Sequence, residues 1–315
     1  MDKPTGIIAL EEHFWTPELR DRTQGLDRET LPHFVERLDD LGALRLREMD
    51  EAGIDLQIIS HAAPAAQKSP PALAVAMARR ANDALHAAVR AHPDRFAGFA
   101  ILPTPDPEAA ADELERTVTE YGFKGAMLHG VTNGSFIDEK RFWTIFARAQ
   151  ALDVPIYMHP ATPPDAIVDV YFKDYPEAAR AGWGFTMDTA TQAIRLILCG
   201  VFDAYPRLKI ILGHLGESLP FSLWRCDRVL SRSKRLARPF RDYFCEHFYI
   251  TTSSNFSHPA LLCCLMELGA DRILFSVDWP FASNLEGRRF IDSAPISDSD
   301  KRKIYGLNAR ALLRL

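Results

Sequence analysis

The sequence predicts a closed (β/α)8 TIM barrel. Three observations carry that expectation. Short apolar runs rich in Val, Ile and Phe recur eight times along the 315 residues. Stretches of helical periodicity lie between them. No low-complexity linker divides the chain, so residues 1–315 read as one α/β domain, of a length usual for such barrels. An open doubly wound sheet is the alternative, but no GxGxxG follows the first run to support it.

In order, the first run is IIAL (7–10), which continues directly into EEHFW. LQIIS (56–60) follows, and behind it Met77, Ala81, Leu85 and Ala88 repeat at the spacing of a helix face. FAGFAIL (96–102) leads to PDPEAAADELERTVTEYG, where Asp106 suits an N-cap and Pro107 the first helical position. FKGAML (123–128) precedes an apolar stripe of Phe142, Ile145, Phe146 and Ala149. VPIYM (154–158) is followed by ATPPDAIVDVYFKDYPEAARAGWGF. Loops that long are commonly functional. With Tyr171, Phe172, Trp183 and Phe185, this one reads as a lid or aromatic wall over a planar ligand, with subunit contact as the competing role. LKIILG (208–213), HFYIT (247–251) and RILFSV (272–277) complete the eight.

Composition narrows the class of function. The chain is 47% hydrophobic and 25% charged with a formal net charge of −5, the profile of a soluble globular protein. No apolar run approaches the roughly 20 residues of a membrane helix, so no membrane partner is expected. MDKPTG lacks the basic-then-apolar layout of a signal peptide. Five cysteines without CxxC spacing read as reduced, mostly buried thiols of a cytoplasmic protein. Mild acidity without a long basic block argues against nucleic acid as a partner.

Chemistry in such barrels sits where strands end. Run one ends in Glu11-Glu12-His13, run five in His159-Pro160, run six in His214-Leu215-Gly216-Glu217 and run eight in Asp278-Trp279-Pro280. Alternation puts Glu11 and His13 on one face and leaves Glu12 structural or solvated. Proline after His159 biases that residue toward extended backbone. Glu11, His13, His159 and Asp278 offer two nitrogen and two oxygen donors, a reasonable set for one divalent transition metal. Singly, each feature has an ordinary reading: a surface pair, a hydrogen-bonded histidine, or a glutamate opening a helix in HLGE. Together, at four strand ends on one barrel mouth, they point to a site.

The chain resembles the amidohydrolase superfamily, in its branch of metal-dependent non-oxidative decarboxylases. The resemblance runs through ALEEHF, VPIYMHP, YPRLKIILGHLGESLPF, FYITTSSNF and GADRILFSVDWPF, and looks nearest to the γ-resorcylate type. It implies Glu11, His13, His159 and Asp278 as metal ligands and His214 with Glu217 as a catalytic pair. It further implies Arg225 as a substrate reader, acting in its own or a neighbouring subunit, and Arg45 as a holder of carboxylate. Lys124 stands at the start of its strand rather than the end, which argues for one metal, Mn²⁺ or Zn²⁺. His129 replaces an asparagine of the γ-resorcylate type, so it is a candidate contact to a ring substituent. His61 reads as a core or rim histidine.

The activity so implied is loss of CO2 from an ortho-hydroxylated aromatic carboxylic acid, such as 2,6-dihydroxybenzoate, after protonation of the ring carbon. Asp278 would deliver that proton, which calls for a raised pKa. The alternative is hydrolysis of an amide, lactone or ester with Asp278 as base. A degenerate barrel serving only to bind fits poorly with an intact donor set. Relatives imply a homodimer or homotetramer, and Phe221 and Trp224 beside Arg225 suit such an interface.

Overall fold

The computed structural model describes residues 6–22 and 31–315. All eight apolar runs are strands: β1 (Ile8–Phe14), β2 (Leu56–His61), β3 (Phe96–Gly98) with β4 (Ala100–Ile101), β5 (Ala126–His129), β6 (Ile156–His159), β7 (Ile210–Leu212), β8 (Phe248–Thr251) and β9 (Ile273–Leu274). The third run differs from expectation in being two pieces. Phe99 N–H still reaches back to Ile59 C=O at 2.9 Å, whereas Ala100 N–H turns to Gly125 C=O at 2.8 Å. The run thus passes from one neighbour to the other at Phe99. Strand pairings are parallel throughout. The ring closes where Leu10 N–H donates to Phe275 C=O at 3.2 Å and His13 N–H to Trp279 C=O at 2.7 Å.

Helices form the outer layer. Asp106 caps Pro107–Tyr121 by accepting from Ala109 N–H, as its position predicts. Met77, Ala81 and Leu85 bury one face of Pro71–Ala91 against the sheet. Inside the ring lies a separate apolar set of Ile8, Leu10, Ile58, Phe99, Met127, Tyr157, Ile211 and Leu274, closed at one end by Leu312 and Leu313. Chemistry is left to the opposite end. The long segment after His159 is not a bare loop, because it carries the helix Asp165–Tyr171, a 3-10 turn at Pro176–Ala179 and the start of Gly184–Leu198. All five cysteines are free, but only Cys264 is fully buried, fewer than expected. No helix among the described residues is long and apolar enough to cross a membrane.

A bulge in β1 sets the site. Ile8 and Leu10 face the interior, so plain alternation would send Glu12 inward and Glu11 outward. Instead Ala9 pairs with Gln57 and Glu12 with Ile59, so Leu10 and Glu11 together oppose one residue of β2. Glu11 takes φ 54°, which resets the phase. Glu11 and His13 then share the inner face, and Glu12 enters the seam between β1 and β9.

Candidate metal centre and active site

Glu11, His13, His159 and Asp278 converge at the open end of the barrel, each buried, with ligand atoms within 4.8 Å of one another. Glu11 Oε1, His13 Nε2 and Asp278 Oδ1 are buried and have no hydrogen-bond partner. A buried polar atom without a partner costs about 1–3 kcal/mol, so three facing one point mark the place of a cation. The donor set fits one divalent metal ion. Burial lowers the His13 pKa, which favours the neutral imidazole a metal requires. Lys124 lies at the far end of the barrel beside Leu312 and Leu313, so it takes no part.

The partners behind these ligands were not evident from the sequence. Glu11 Oε2 accepts from the hydroxyls of Tyr157 and Ser253, while Thr251 joins Tyr157 at 2.7 Å. That leaves Oε1 for the ion. A Cβ on Gly213 would come within 2.8 Å of Glu11 Oε2, so only glycine admits this carboxylate. The signal was strand parity: Tyr157 stands two before His159, and Thr251 and Ser253 are two apart. Glu12 is structural rather than solvated. It accepts from Val277 N–H at 3.0 Å and Trp279 N–H at 3.1 Å, on either side of Asp278. Burial pushes its carboxyl up to about 8 against those bonds and the attraction of Arg45.

HLGE does not open a right-handed helix. His214, Leu215, Glu217 and Ser218 have φ between 52° and 61° and Gly216 has 76°, a left-handed turn that ends where the helix Leu219–Leu230 begins. Such backbone costs about 1–2 kcal/mol per residue with a side chain, and strain of this kind concentrates at functional sites. Asn255 Nδ2 holds the turn by donating to His214 C=O at 3.1 Å. His214 Nδ1 meets Glu217 Oε1 at 2.7 Å, and Thr186 donates to the other glutamate oxygen at 2.9 Å. His214 Nε2 then faces Glu11 Oε1 at 3.3 Å and Asp278 Oδ2 at 3.8 Å. Burial lowers the His214 pKa, but Glu217 and Glu11 outweigh it and hold it well above the usual range. Asp278 departs from expectation. Burial raises its pKa, yet the contacts of His13 and His214 prevail and the net direction is downward.

The three expected substrate contacts do not line the cavity of their own chain. Arg45 is fully buried beneath the site, where its guanidinium donates to Asp40 C=O at 3.1 Å, Gln57 Oε1 at 3.2 Å and His13 C=O, and stacks over Trp279 at 4.0 Å. It braces β1 and does not line the cavity. Arg225 is exposed on Leu219–Leu230, off the cavity of its own chain. His129 pairs in register with His159 and meets its Nδ1 at 3.2 Å, so it stands behind a ligand. His61 is a core histidine: Nε2 accepts from Thr16 N–H at 3.0 Å and Nδ1 faces Ala62 C=O at 2.8 Å.

A cavity of about 340 Å³ opens over the metal set. His159, His214, Glu217 and Asp278 form its floor, Thr186, Ser254 and Asn255 add polar groups, and Phe34, Phe185, Phe281 and Arg180 form walls. The aromatic wall is therefore not the one expected. Of the four residues singled out in the long segment, Phe185 reaches the cavity; Tyr171 and Trp183 are 66% and 55% exposed, and Phe172 is buried elsewhere.

The amidohydrolase family model matches residues 12–315. The chain belongs to that family. Among similar proteins, the γ-resorcylate decarboxylase of Polaromonas sp. (strain JS666) is 43% identical over 98% of this chain and 99% of its own. A crystal structure of 2,6-dihydroxybenzoate decarboxylase complexed with 2,6-dihydroxybenzoate superposes with a TM-score of 0.93 at 40% identity, covering 99% of this chain and 100% of that one. A dihydroxybenzoic acid decarboxylase from Polaromonas sp. JS666, with bound manganese and the inhibitor 2-nitroresorcinol, gives 0.93 at 42% identity, covering 99% and 97%.

Proposed function

We propose that this amidohydrolase is a metal-dependent carboxy-lyase that removes CO2 from an ortho-hydroxylated aromatic acid of the 2,6-dihydroxybenzoate kind. The observation that carries the reading is a cavity sized for one small aromatic acid, walled by phenylalanines and floored by a mononuclear Glu-His-His-Asp set beside a His–Glu pair. Manganese in a similar decarboxylase supports Mn²⁺ ahead of Zn²⁺ as the resident ion.

Direct loss of CO2 would leave an aryl anion too basic to form near neutral pH. Protonating the ring carbon that bears the carboxylate avoids that anion, and aromaticity returns as CO2 departs. When bound, the divalent ion supplies Lewis acidity that favours ionisation of the ortho-hydroxyl. Phe34, Phe185 and Phe281 hold the ring and exclude water from it. Asp278, at the floor, is positioned to deliver the proton. His214 is the relay that recharges it: Glu217 fixes the imidazole through Nδ1, and Nε2 lies 3.8 Å from Asp278 Oδ2.

Phe221 at 85% exposure and Trp224 at 68%, beside Arg225, support self-association through this face as a homodimer or homotetramer. Five free thiols support work in a reducing compartment such as the cytoplasm. The test is CO2 release by Mn²⁺-loaded and Zn²⁺-loaded protein from 2,6- and 2,3-dihydroxybenzoate, salicylate and 5-carboxyvanillate. Turnover lost on chelation and restored by metal is the expected result. Tight binding of one metal without release from any of these acids would move the reaction to hydrolysis.

A further inference from the structure

The two arginines expected to read a carboxylate do not line the cavity of their own chain. Arg45 is a buried brace, and Arg225 is exposed on an outer helix. A third arginine does. Among the described residues, Arg180 is the lysine or arginine that lines the cavity over the metal set.

Its placement is built by the backbone. Arg180 C=O accepts from Trp183 N–H and Phe185 N–H, both at 3.1 Å, which ties it to the start of the helix Gly184–Leu198. Gly184 packs so closely on the preceding turn that a Cβ there would lie 2.1 Å from Ala179 C=O. The same segment sends Phe185 and Thr186 to the cavity, and the guanidinium lies 5.6 Å from the centre of the Phe185 ring. Arg180 is thus half-buried on a fixed wall, next to the ring surface an aromatic ligand would use.

The chemistry of the floor gives this position its meaning. Glu11 and Asp278 belong to the metal set and Glu217 holds the His214 ring, so three carboxylates gather at the floor. A guanidinium on the wall offers an entering aromatic carboxylate two parallel N–H donors that match its two oxygens. We propose that Arg180, from the same subunit as the metal, binds the substrate carboxylate and sets the selectivity of the cavity for acids over the corresponding phenols. The proposal rests on the decarboxylase reading for its substrate class.

It has a kinetic signature. As CO2 forms, negative charge leaves the carboxylate for the ring, so an ion pair to Arg180 is strongest in the ground state. Interactions of that kind lower KM without raising kcat. The experiment compares Mn²⁺-loaded wild type, Arg180→Gln and Arg180→Lys, with 2,6-dihydroxybenzoate as substrate and resorcinol, the same ring without the carboxylate, as inhibitor. Arg180→Gln should raise KM about 10- to 100-fold, the worth of a charge-assisted hydrogen bond. Its kcat should stay within about threefold and its Ki for resorcinol should not move. Arg180→Lys should recover part of the loss. Unchanged KM overturns the proposal, and so does a Ki for resorcinol that rises with KM, which would mean that Arg180 only shapes the wall.

Should the wild type release no CO2, the decarboxylase reading fails first, and calorimetric binding of 2,6-dihydroxybenzoate and resorcinol still tests Arg180. Selective loss of the acid's affinity in Arg180→Gln would uphold the carboxylate contact. Equal loss, or none, would remove it.

Discussion

Replacing Arg45 with methionine removes a buried cation while keeping most of its volume. Three acceptors lose their donor: Asp40 C=O, Gln57 Oε1 and His13 C=O. Glu12 loses a neighbouring positive charge, and Trp279 loses the guanidinium stacked on it. Each stranded acceptor costs about 1–3 kcal/mol. These costs overlap because they share one side chain, so the expected loss is about 4 kcal/mol. At the usual unfolding entropy per residue this lowers Tm by about 6 °C for a chain of this length. Because Arg45 also braces the carbonyl of His13, Mn²⁺ affinity should fall about tenfold, as for other supports of metal ligands. Calorimetry would measure Tm, and metal titration the affinity. KM for the acid, taken at saturating Mn²⁺, should stay near the wild-type value. The reasoning is refuted by the opposite pattern, in which Tm holds and KM rises, because that would make Arg45 a substrate contact.

Other outcomes follow from the same geometry. Burial holds the His61 pKa at about 4, so between pH 6.5 and 4 the unfolded chain binds more protons than the folded one. Stability from this residue is complete above pH 6.5 and is lost as pH falls toward 4, by about 3 kcal/mol in total. Urea titrations of metal-free protein should show that slope and find it flattened in His61→Gln; parallel slopes would count against it. His129→Ala should weaken Mn²⁺ binding about 10- to 100-fold by freeing the His159 ring, and an unchanged titration would mean that Pro160 C=O orients that ring alone. Asp278→Asn should fold and yet release no CO2, so full turnover in that variant would displace Asp278 as proton donor. Ser218→Val places a β-branched residue at φ 61° and should lower stability by about 2 kcal/mol in denaturant titration, where a neutral result would show that the turn relaxes.

The barrel was legible because its signal is repetition, and eight apolar runs with helical spacers survive small errors in any one of them. The metal set was legible because strand ends are countable. One step of that argument held for a reason the sequence concealed, since alternation from Ile8 and Leu10 predicts Glu12 inside, and only the bulge at Glu11 restores Glu11 and His13 to the inner face. Arg45 and His129 were visible as residues but not as directions. Where Arg45 ends up depends on β1, β2 and the turn at Trp279 meeting around it, and His129 is turned toward the neighbouring strand rather than the cavity. Arg180 sat in an alanine-rich stretch without periodicity, and its position follows from a close approach between Gly184 and Ala179 that no local pattern encodes. The left-handed path of HLGES was hidden as well, because four of its five residues carry side chains that disfavour it.

The seam between β1 and β9 also orders events in time. Glu11 and His13 leave the ribosome well before Asp278 and the Val277 and Trp279 amides that pin Glu12. A nascent chain that has reached residue 260 already possesses Glu11, His13 and His159, yet it has neither the fourth ligand nor the partner that hides Glu12. Until the last strand docks, the acidic end of β1 is an unmatched edge that water must solvate. Capture of a metal by this donor set would therefore report the docking of β9 on β1 rather than nucleate the earlier strands.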